Sequence, residues 1–385
     1  MKKKKSLAIV TSLIFLFSAF SPVQAASQFS VNVPQSGASG EAIASKTTQA
    51  TVTPEQFFYE TPRPVEMNKY IISDVQGHWA APYLQHFIYA DILKGYEVQP
   101  GQYQAKPENN ITRAEFVTLL VRSLNLTSSN NGTSFVDVPA GIWYTDSVKI
   151  ASSLGIVNGI DATHFGPDLN IKRSEIAAMI MRAFGNTLAQ NGGTKIFTDV
   201  AANHWAKSFI DSAVKAKVIN GYPDNTFHPE ANATRAEGVK MLYSGLVGQK
   251  SNLPNDVDLA RVFVDLENGK LLSNYDQDYA KTAEIADKYT FGLQNANEKY
   301  RLLQYQVILN KGYGLTFGLK GTAYQVLIKE KSNSMATLEI SDVTQQVFKL
   351  NNGTIVQQLD EPINNMVCLR KMADGQWKIY YNMPK

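Results

Sequence analysis

The chain contains one cysteine, Cys368, among its 385 residues. An internal disulfide framework and a multi-cysteine metal site are thereby excluded. The run Met366-Val367-Cys368-Leu369 reads as a buried strand, in which cysteine acts as a small apolar residue. Histidine is scarce too. All five (His78, His86, His164, His204 and His228) precede residue 229. Everything beyond lacks a Ser-His-Asp triad, a Cys-His pair and a His-based zinc site. Carboxylate-pair chemistry such as glycoside hydrolysis stays open there, although no recognisable motif marks it. No motif calls for a cofactor or a metal.

Long apolar runs are nearly absent. The one at Leu7 to Phe20, about 14 residues, follows the basic Lys2–Lys5 and precedes the small-residue site Val23-Gln24-Ala25. It falls short of the roughly 20 residues needed to span a bilayer, so residues 1–25 read as a cleaved signal peptide. Cleavage removes four lysines and lowers the formal charge from +3 to −1. No global basic field then remains for nucleic acid or an anionic membrane, and no membrane span is expected in the mature chain. Any anion binding must be local. With 44% hydrophobic and 18% charged residues, the rest reads as soluble, globular and multidomain. Export without disulfides suits a Gram-positive-type surface.

Residues 26–69 are rich in Ser, Ala, Thr, Gln and Pro without helical or strand period, and read as a flexible linker. An internal repeat of about 62 residues follows, placed at 70–130, 131–192 and 193–250. Each copy holds an Asp-Val pair at Asp74, Asp137 or Asp199, then a tryptophan, Trp79, Trp143 or Trp205. Next come a glycine, Gly95, Gly159 or Gly221, and the signatures Thr112-Arg113-Ala114-Glu115, Lys172-Arg173-Ser174-Glu175 and Thr234-Arg235-Ala236-Glu237. Apolar residues at helical spacing predict two helices per repeat, for example Leu84, Phe87 and Ile88, then Phe116, Leu119 and Leu120. Repeats this small bury little surface alone, so their apolar faces should share one core.

Thr and Glu three residues apart form a capping box at Thr112/Glu115 and Thr234/Glu237. In repeat two Lys172 replaces the capping threonine. The arginine needs another explanation, because a cation in the first turn opposes the helix dipole. Two readings stand: Arg113, Arg173 and Arg235 meet an anionic ligand together with the helix end, or they form internal ion pairs. The tryptophans are open in the same way, as core residues or as apolar platforms for a sugar. The aspartates either cap the following helix or accept hydrogen bonds from sugar hydroxyls.

The pattern Asp-Val, Trp-Ala or Trp-Tyr, Gly-Tyr-Pro-Asp-Asn-Thr-Phe-His-Pro (221–229) and Thr-Arg-Ala-Glu resembles the S-layer homology domain family over roughly residues 71–249. The resemblance implies an all-α, pseudo-three-fold helical prism at the bacterial cell wall or S-layer. Its inter-repeat grooves would bind secondary cell wall polysaccharide through a pyruvylated sugar whose carboxylate meets the signature arginine. Carried over by match are Asp74, Asp137, Asp199, Trp79, Trp143, Trp205, Gly95, Gly159, Gly221, Arg113, Arg173 and Arg235. The loop of repeat one, Tyr96 to Asn110, departs from the pattern: it is longer and lacks the Pro-Asp-x-x-Phe core.

From residue 255 to 385 the pattern changes to a smaller α+β domain. Residues 256–300 read as helical, with Tyr279–Tyr300 the longest candidate. Strands are expected at Gln304–Leu309, Tyr313–Leu319, Ala323–Lys329, Ala336–Ile340, Gln346–Leu350, Met366–Arg370 and Trp377–Tyr381, forming an antiparallel sheet. Asp374-Gly-Gln-Trp-Lys-Ile379 resembles the last hairpin of nuclear-transport-factor-like cone folds. The expected role is a non-catalytic binding or structural module, with an envelope protein or a second copy as its possible partner. The alternative is a wall-targeted enzyme acting on envelope glycan or peptide.

Overall fold

The structure, a computed structural model, describes residues 27–32, 52–58 and 61–385. The expected signal peptide and the middle of the expected linker lie outside these residues. No helix among the described residues is long and apolar enough to cross a membrane.

In chain order, β1 (Gln28–Asn32) and the single helical turn α1 (Pro54–Phe57) precede a 3-10 turn at Val65–Tyr70. The repeats then contribute α2 (Ala81–Tyr89), a ribbon of β2 (Tyr96–Gln99) and β3 (Gln102–Gln104), α3 (Arg113–Leu124), α4 (Thr145–Ser153), α5 (Arg173–Phe184), α6 (Lys207–Lys215) and α7 (Arg235–Gly248). Each repeat thus supplies two helices, the second starting at its signature arginine. Phe116, Leu120, Ile176, Ile180, Val239 and Leu242 are fully buried in one shared core. Gly238 in α7 shows the convergence: a Cβ there would touch Ile111 and Phe116 of repeat one and Ile176 of repeat two, each about 3.5 Å away.

Backbone bridges tie the segments before these helices in a cycle: Thr112 to Asn170, Lys172 to Asn232 and Asn110 to Thr234. The all-α expectation needs one amendment, the β2–β3 ribbon. The longer loop of repeat one has residues to spare, and Gly101 at φ +73° turns it back on itself.

After the repeats come α8 (Asp256–Tyr275), α9 (Tyr279–Tyr289) and α10 (Gly292–Asn310), then β4 (Gly314–Lys320), β5 (Ala323–Lys331), β6 (Met335–Asn351), β7 (Thr354–Lys371) and β8 (Trp377–Pro384). The sheet is antiparallel in the order β1-β5-β6-β7-β8. β4 pairs the second half of β6 while β5 pairs the first half. The expected strand at Gln304–Leu309 is helical instead. Tyr305 and Ile308, three apart, face the core together, and that packing overrides β-branched propensity. The expected Tyr279–Tyr300 helix is interrupted at Thr290–Phe291. Gly292 follows at φ +57°, and a Cβ there would run into the carbonyl oxygen of Tyr89 at the end of α2.

The expected linker also differs where it is described. β1 pairs with the outer edge of β5, Gln28 opposite Leu327 and Asn32 opposite Ala323. Val52 N–H donates to Gln358 C=O at 3.0 Å. Phe57 and Phe58 are buried among Tyr305, Leu315, Phe317 and Val347. A polar, aperiodic composition concealed these contacts because two aromatics and five strand residues carry them.

The two halves are docked. Tyr89 stacks on Tyr381 with centroids 5.2 Å apart and planes 3° apart. Asn125 accepts from Arg370 and donates to Lys371 C=O, both at 2.8 Å. Cys368 and Tyr380 sit in a core continuous with that of the repeats, and burial pushes the Cys368 thiol up to about 12.

Candidate functional site

The fold buries all three signature arginines. Arg113, Arg173 and Arg235 are 3%, 7% and 3% exposed. Each pairs through Nη1 with the signature glutamate of the next repeat: Arg113 to Glu175 at 2.6 Å, Arg173 to Glu237 at 2.7 Å and Arg235 to Glu115 at 2.8 Å. The three pairs form a closed ring. The internal ion pair, one of the two readings open from sequence, is formed at all three positions.

Each glutamate serves two partners. Its other oxygen accepts from the N–H that opens its own helix, at Thr112, Lys172 and Thr234. Repeat two keeps only this half of the capping box, since the Lys172 side chain has no acceptor atom. The other N–H groups of the helix starts are taken as well, the Glu175 N–H of α5 excepted, which has no capping threonine to receive it. The first two N–H groups of α3, α5 and α7 donate to loop carbonyls of the neighbouring repeat: Leu169 and Pro167, Ala231 and Pro229, Asn109 and Pro107. The Nε of each arginine is likewise held by a carbonyl, of Phe165, Phe227 or Ala105.

The aspartates fill a third role. Both carboxylate oxygens accept backbone N–H groups of the loop before the second helix. Asp74 takes Ala105 and Lys106, Asp137 takes Phe165 and Gly166, and Asp199 takes Phe227 and His228, all at 2.7–2.8 Å. They clamp the loop whose carbonyl holds the arginine. The glycines belong to the same loops. At Gly221, φ +66°, a Cβ would overlap the Phe197 ring, and at Gly159 it would meet the carbonyls of Asp161 and His164. Gly95 lies against Ile72 and the Gln104 carbonyl.

The tryptophans are the sequence-predicted residues that face solvent: Trp79, Trp143 and Trp205 are 56%, 57% and 54% exposed. The core reading is therefore not the one realised. Beside two of them a histidine ring is locked. His78 Nδ1 accepts from Ala80 N–H and its Nε2 meets Glu108 at 2.6 Å. His204 does the same with Ala206 N–H and Glu230, at 3.0 Å. Glu230 also pairs with Lys172. Repeat two has Ile142 at the histidine's place.

Two tyrosines complete the seams. Tyr96 hydroxyl donates to Glu115 and accepts from Arg235 Nη1 at 2.9 Å, and Tyr222 hydroxyl donates to Glu237 at 2.6 Å. Burial, and then these glutamates, push both phenols up to about 12. The ribbon of repeat one thus restores, by another route, the contacts that the Pro-Asp-x-x-Phe loop makes in repeat three. Sequence reading missed Glu115, Glu175 and Glu237 as ion-pair partners, and Tyr96 and Tyr222 altogether. The glutamates were visible only as caps. The tyrosines had a signal, each directly following its groove glycine.

In the C-terminal domain the buried carboxylates Glu267 and Glu298 are both held by Lys270 Nζ, at 2.9 and 3.0 Å. Burial pushes the Glu267 carboxyl up. An open cleft of this domain, about 600 Å³, is lined by other residues, such as Lys320, Asp342, Thr344 and Asn364.

Known proteins match this arrangement in part. The sequence pattern of the S-layer homology domain fits residues 134–177 and 196–237. An amylopullulanase of Thermoanaerobacterium thermosulfurigenes is 32% identical over 186 residues, 47% of this chain and 10% of that protein. A cellulosome-anchoring protein of Acetivibrio thermocellus is 34% identical over 164 residues, 41% of this chain and 36% of that one. A surface-layer 125 kDa protein of Lysinibacillus sphaericus is 31% identical over 163 residues, 41% of this chain and 13% of that one. The chain thus spans a minor share of each relative. Two of the repeats thus match the S-layer homology domain, and the chain is similar over this part to an anchoring protein and a surface-layer protein of bacteria.

Proposed function

We propose that the repeats anchor the protein non-covalently to the cell wall by binding an anionic secondary wall polysaccharide, with a pyruvylated sugar as the recognised unit. The observation that carries this reading is the tryptophan held out to solvent in triplicate, at the same place in each repeat. Burying one such side chain would stabilise the fold by a few kcal/mol, roughly 1.5–3 on the scale for large apolar residues. Three exposed copies fit a surface that stacks on sugar rings. The cellulosome-anchoring and surface-layer relatives agree with an anchoring role. Repeat one counts as the third member because its Glu115 and Ala105 take Arg235 as the other repeats take theirs.

The C-terminal domain serves in this reading as a docked structural or binding module, for an envelope protein or a second copy. A wall-targeted enzyme is the competing reading. The amylopullulanase match covers only 10% of that protein, so its activity does not carry over, and the buried carboxylates Glu267 and Glu298 are both engaged by Lys270. The test is sedimentation of the mature chain with purified sacculi. Acid removal of the secondary polymer should release it; binding that persists on bare peptidoglycan overturns the proposal. Release of sugar or peptide fragments from the same sacculi would establish the enzyme.

A further inference from the structure

The sheet of the C-terminal domain ends differently on its two sides. At β8 the margin is covered: Ile379 bridges Thr290, and its carbonyl accepts the Phe291 N–H at 3.0 Å. At the other end β1 lies outermost, paired with β5 alone among the described residues.

The direction of its free groups follows from one bond. Ile328 N–H donates to Ser27 C=O at 3.0 Å, so Ser27 and Ile328 form a hydrogen-bonded pair. Such pairs alternate along an antiparallel ladder, so Phe29 and Val31 spend their backbone groups on β5 as well. The N–H and C=O of Gln28, Ser30 and Asn32 therefore point outward, without a backbone partner among the described residues. An exposed edge is usually guarded by a charge, a proline or a bulge. Gln28-Phe29-Ser30-Val31-Asn32 has none of these.

The strand is also its own complement. Laid antiparallel on a second copy and centred on Ser30, it sets Ser30 of one copy opposite Ser30 of the other, and Gln28 opposite Asn32. Every outward N–H and C=O of both strands is then paired. On the face toward the core, Phe29 of each copy meets Val31 of the other, an aromatic and β-branched pair of the kind that stabilises sheets. Both side chains already pack on that core, beside Leu259 and Phe263. On the opposite face Gln28 and Asn32 bring two amides together, and no like charges meet.

We propose that β1 is a self-association surface, through which two copies join edge to edge and their sheets become one. This names the second copy as partner of the C-terminal domain and rests on the reading of that domain as a binding module. It does not depend on the polysaccharide. The contact is small, so the dimer is weak in dilute solution. Copies held close together on a wall would form it more readily.

The experiment uses the mature chain with single cysteines in β1, since the native Cys368 is buried and does not compete. Ser30→Cys should give a disulfide-linked dimer on mild oxidation, because residues directly opposite in a hydrogen-bonded pair stand about 5.5 Å apart at Cα, within disulfide reach. Gln28→Cys alone should not cross-link, whereas Gln28→Cys mixed with Asn32→Cys should. Ser30→Pro removes an outward N–H and leaves the bonds to β5 in place. It should weaken the dimer about tenfold in sedimentation equilibrium, for the two hydrogen bonds lost at the centre. Melts of the same samples report folding, and if Ser30→Pro does not fold the cysteine pattern decides. No Ser30→Cys dimer at the highest soluble concentration overturns the proposal. So does cross-linking of Gln28→Cys alone as readily as Ser30→Cys, or a dimer undiminished in folded Ser30→Pro. Each of these results leaves an envelope protein as the domain's partner, and none touches wall binding, which the sacculi test apart.

Discussion

Arg235 Nη1 lies 2.8 Å from Glu115 Oε1, and this contact joins the third repeat to the first across 120 residues of chain. It closes the ring begun by Arg113 with Glu175 and Arg173 with Glu237. The signature is therefore one device with two ends: the arginine reaches forward, and the glutamate caps its own helix while receiving a neighbour's arginine. A cation in the first helical turn opposes the dipole by a few tenths of a kcal/mol. The buried pair and the Nε–carbonyl bond offset that cost.

Arg235→Ala should consequently destabilise the protein, by about 3 kcal/mol, because it leaves Glu115 and the Ala105 carbonyl without their partner inside a seam. Arg235→Met combined with Glu115→Gln should recover much of the loss, since both charges leave together. Urea melts of the two variants decide the matter. If the single alanine variant melts with the parent, the ring does not stabilise the fold.

The leader makes a second prediction. Phe57 is fully buried against Leu315, Phe317 and Val347, so the last domain completes its core with a segment that precedes the repeats. Phe57→Ala should cost about 3–5 kcal/mol, the range for large aromatic truncations in cores. A chain that starts at residue 61 should lose at least as much. If that truncated chain melts like the full one, the leader is a passenger.

Much of this was legible in the residues, for identifiable reasons. The repeats announce themselves because helical period, capping boxes and glycine loops all recur in register. The sheet showed in part in β-branched runs and turn dipeptides: β6 is one strand where two were expected, β7 begins at Thr354 and not at Met366, and at Gln304–Leu309 burial of Tyr305 and Ile308 in a helix overruled local preference. The seam was harder. Arg113 and Glu175 stand 62 residues apart, and nothing in either repeat alone says that one's arginine meets the other's glutamate. The aspartates were misjudged for the same cause: Asp137 reaches Phe165 and Gly166, 28 and 29 residues on, a distance that no local capping rule covers.

The tryptophans separate ligand contact from packing. Trp205 is about half exposed, so Trp205→Ala should change stability by little, within about 0.5 kcal/mol as for surface positions. Retention on sacculi should nonetheless fall clearly, and further in the variant that also carries Trp79→Ala. Equal retention by parent and double variant in a sedimentation assay would remove tryptophan from the binding surface.

The last prediction concerns pH and the joint between the two halves. His86 Nδ1 lies 2.8 Å from the Tyr380 hydroxyl, and its ring stacks on Tyr243 at 5.2 Å, so α2, α7 and β8 all enclose it. Burial pushes the imidazole down to about 4, from 6.5 when exposed. Between those values the unfolded chain takes up a proton that the folded chain refuses. Stability therefore rises with pH across this window and is lost as pH falls through it. The full difference is about 3 kcal/mol, at 1.36 kcal/mol per unit. Glu330 at the same joint is pushed up by burial and works in the opposite sense, so the raw pH profile mixes both. The clean measurement is the difference between the parent and His86→Gln, followed by urea melts from pH 7.5 to 4. The parent's advantage should hold constant above pH 7 and shrink steadily below 6.5. A difference that stays flat across the whole range would mean that His86 takes up its proton equally in the folded and the unfolded chain, and that the joint is not closed to water as drawn.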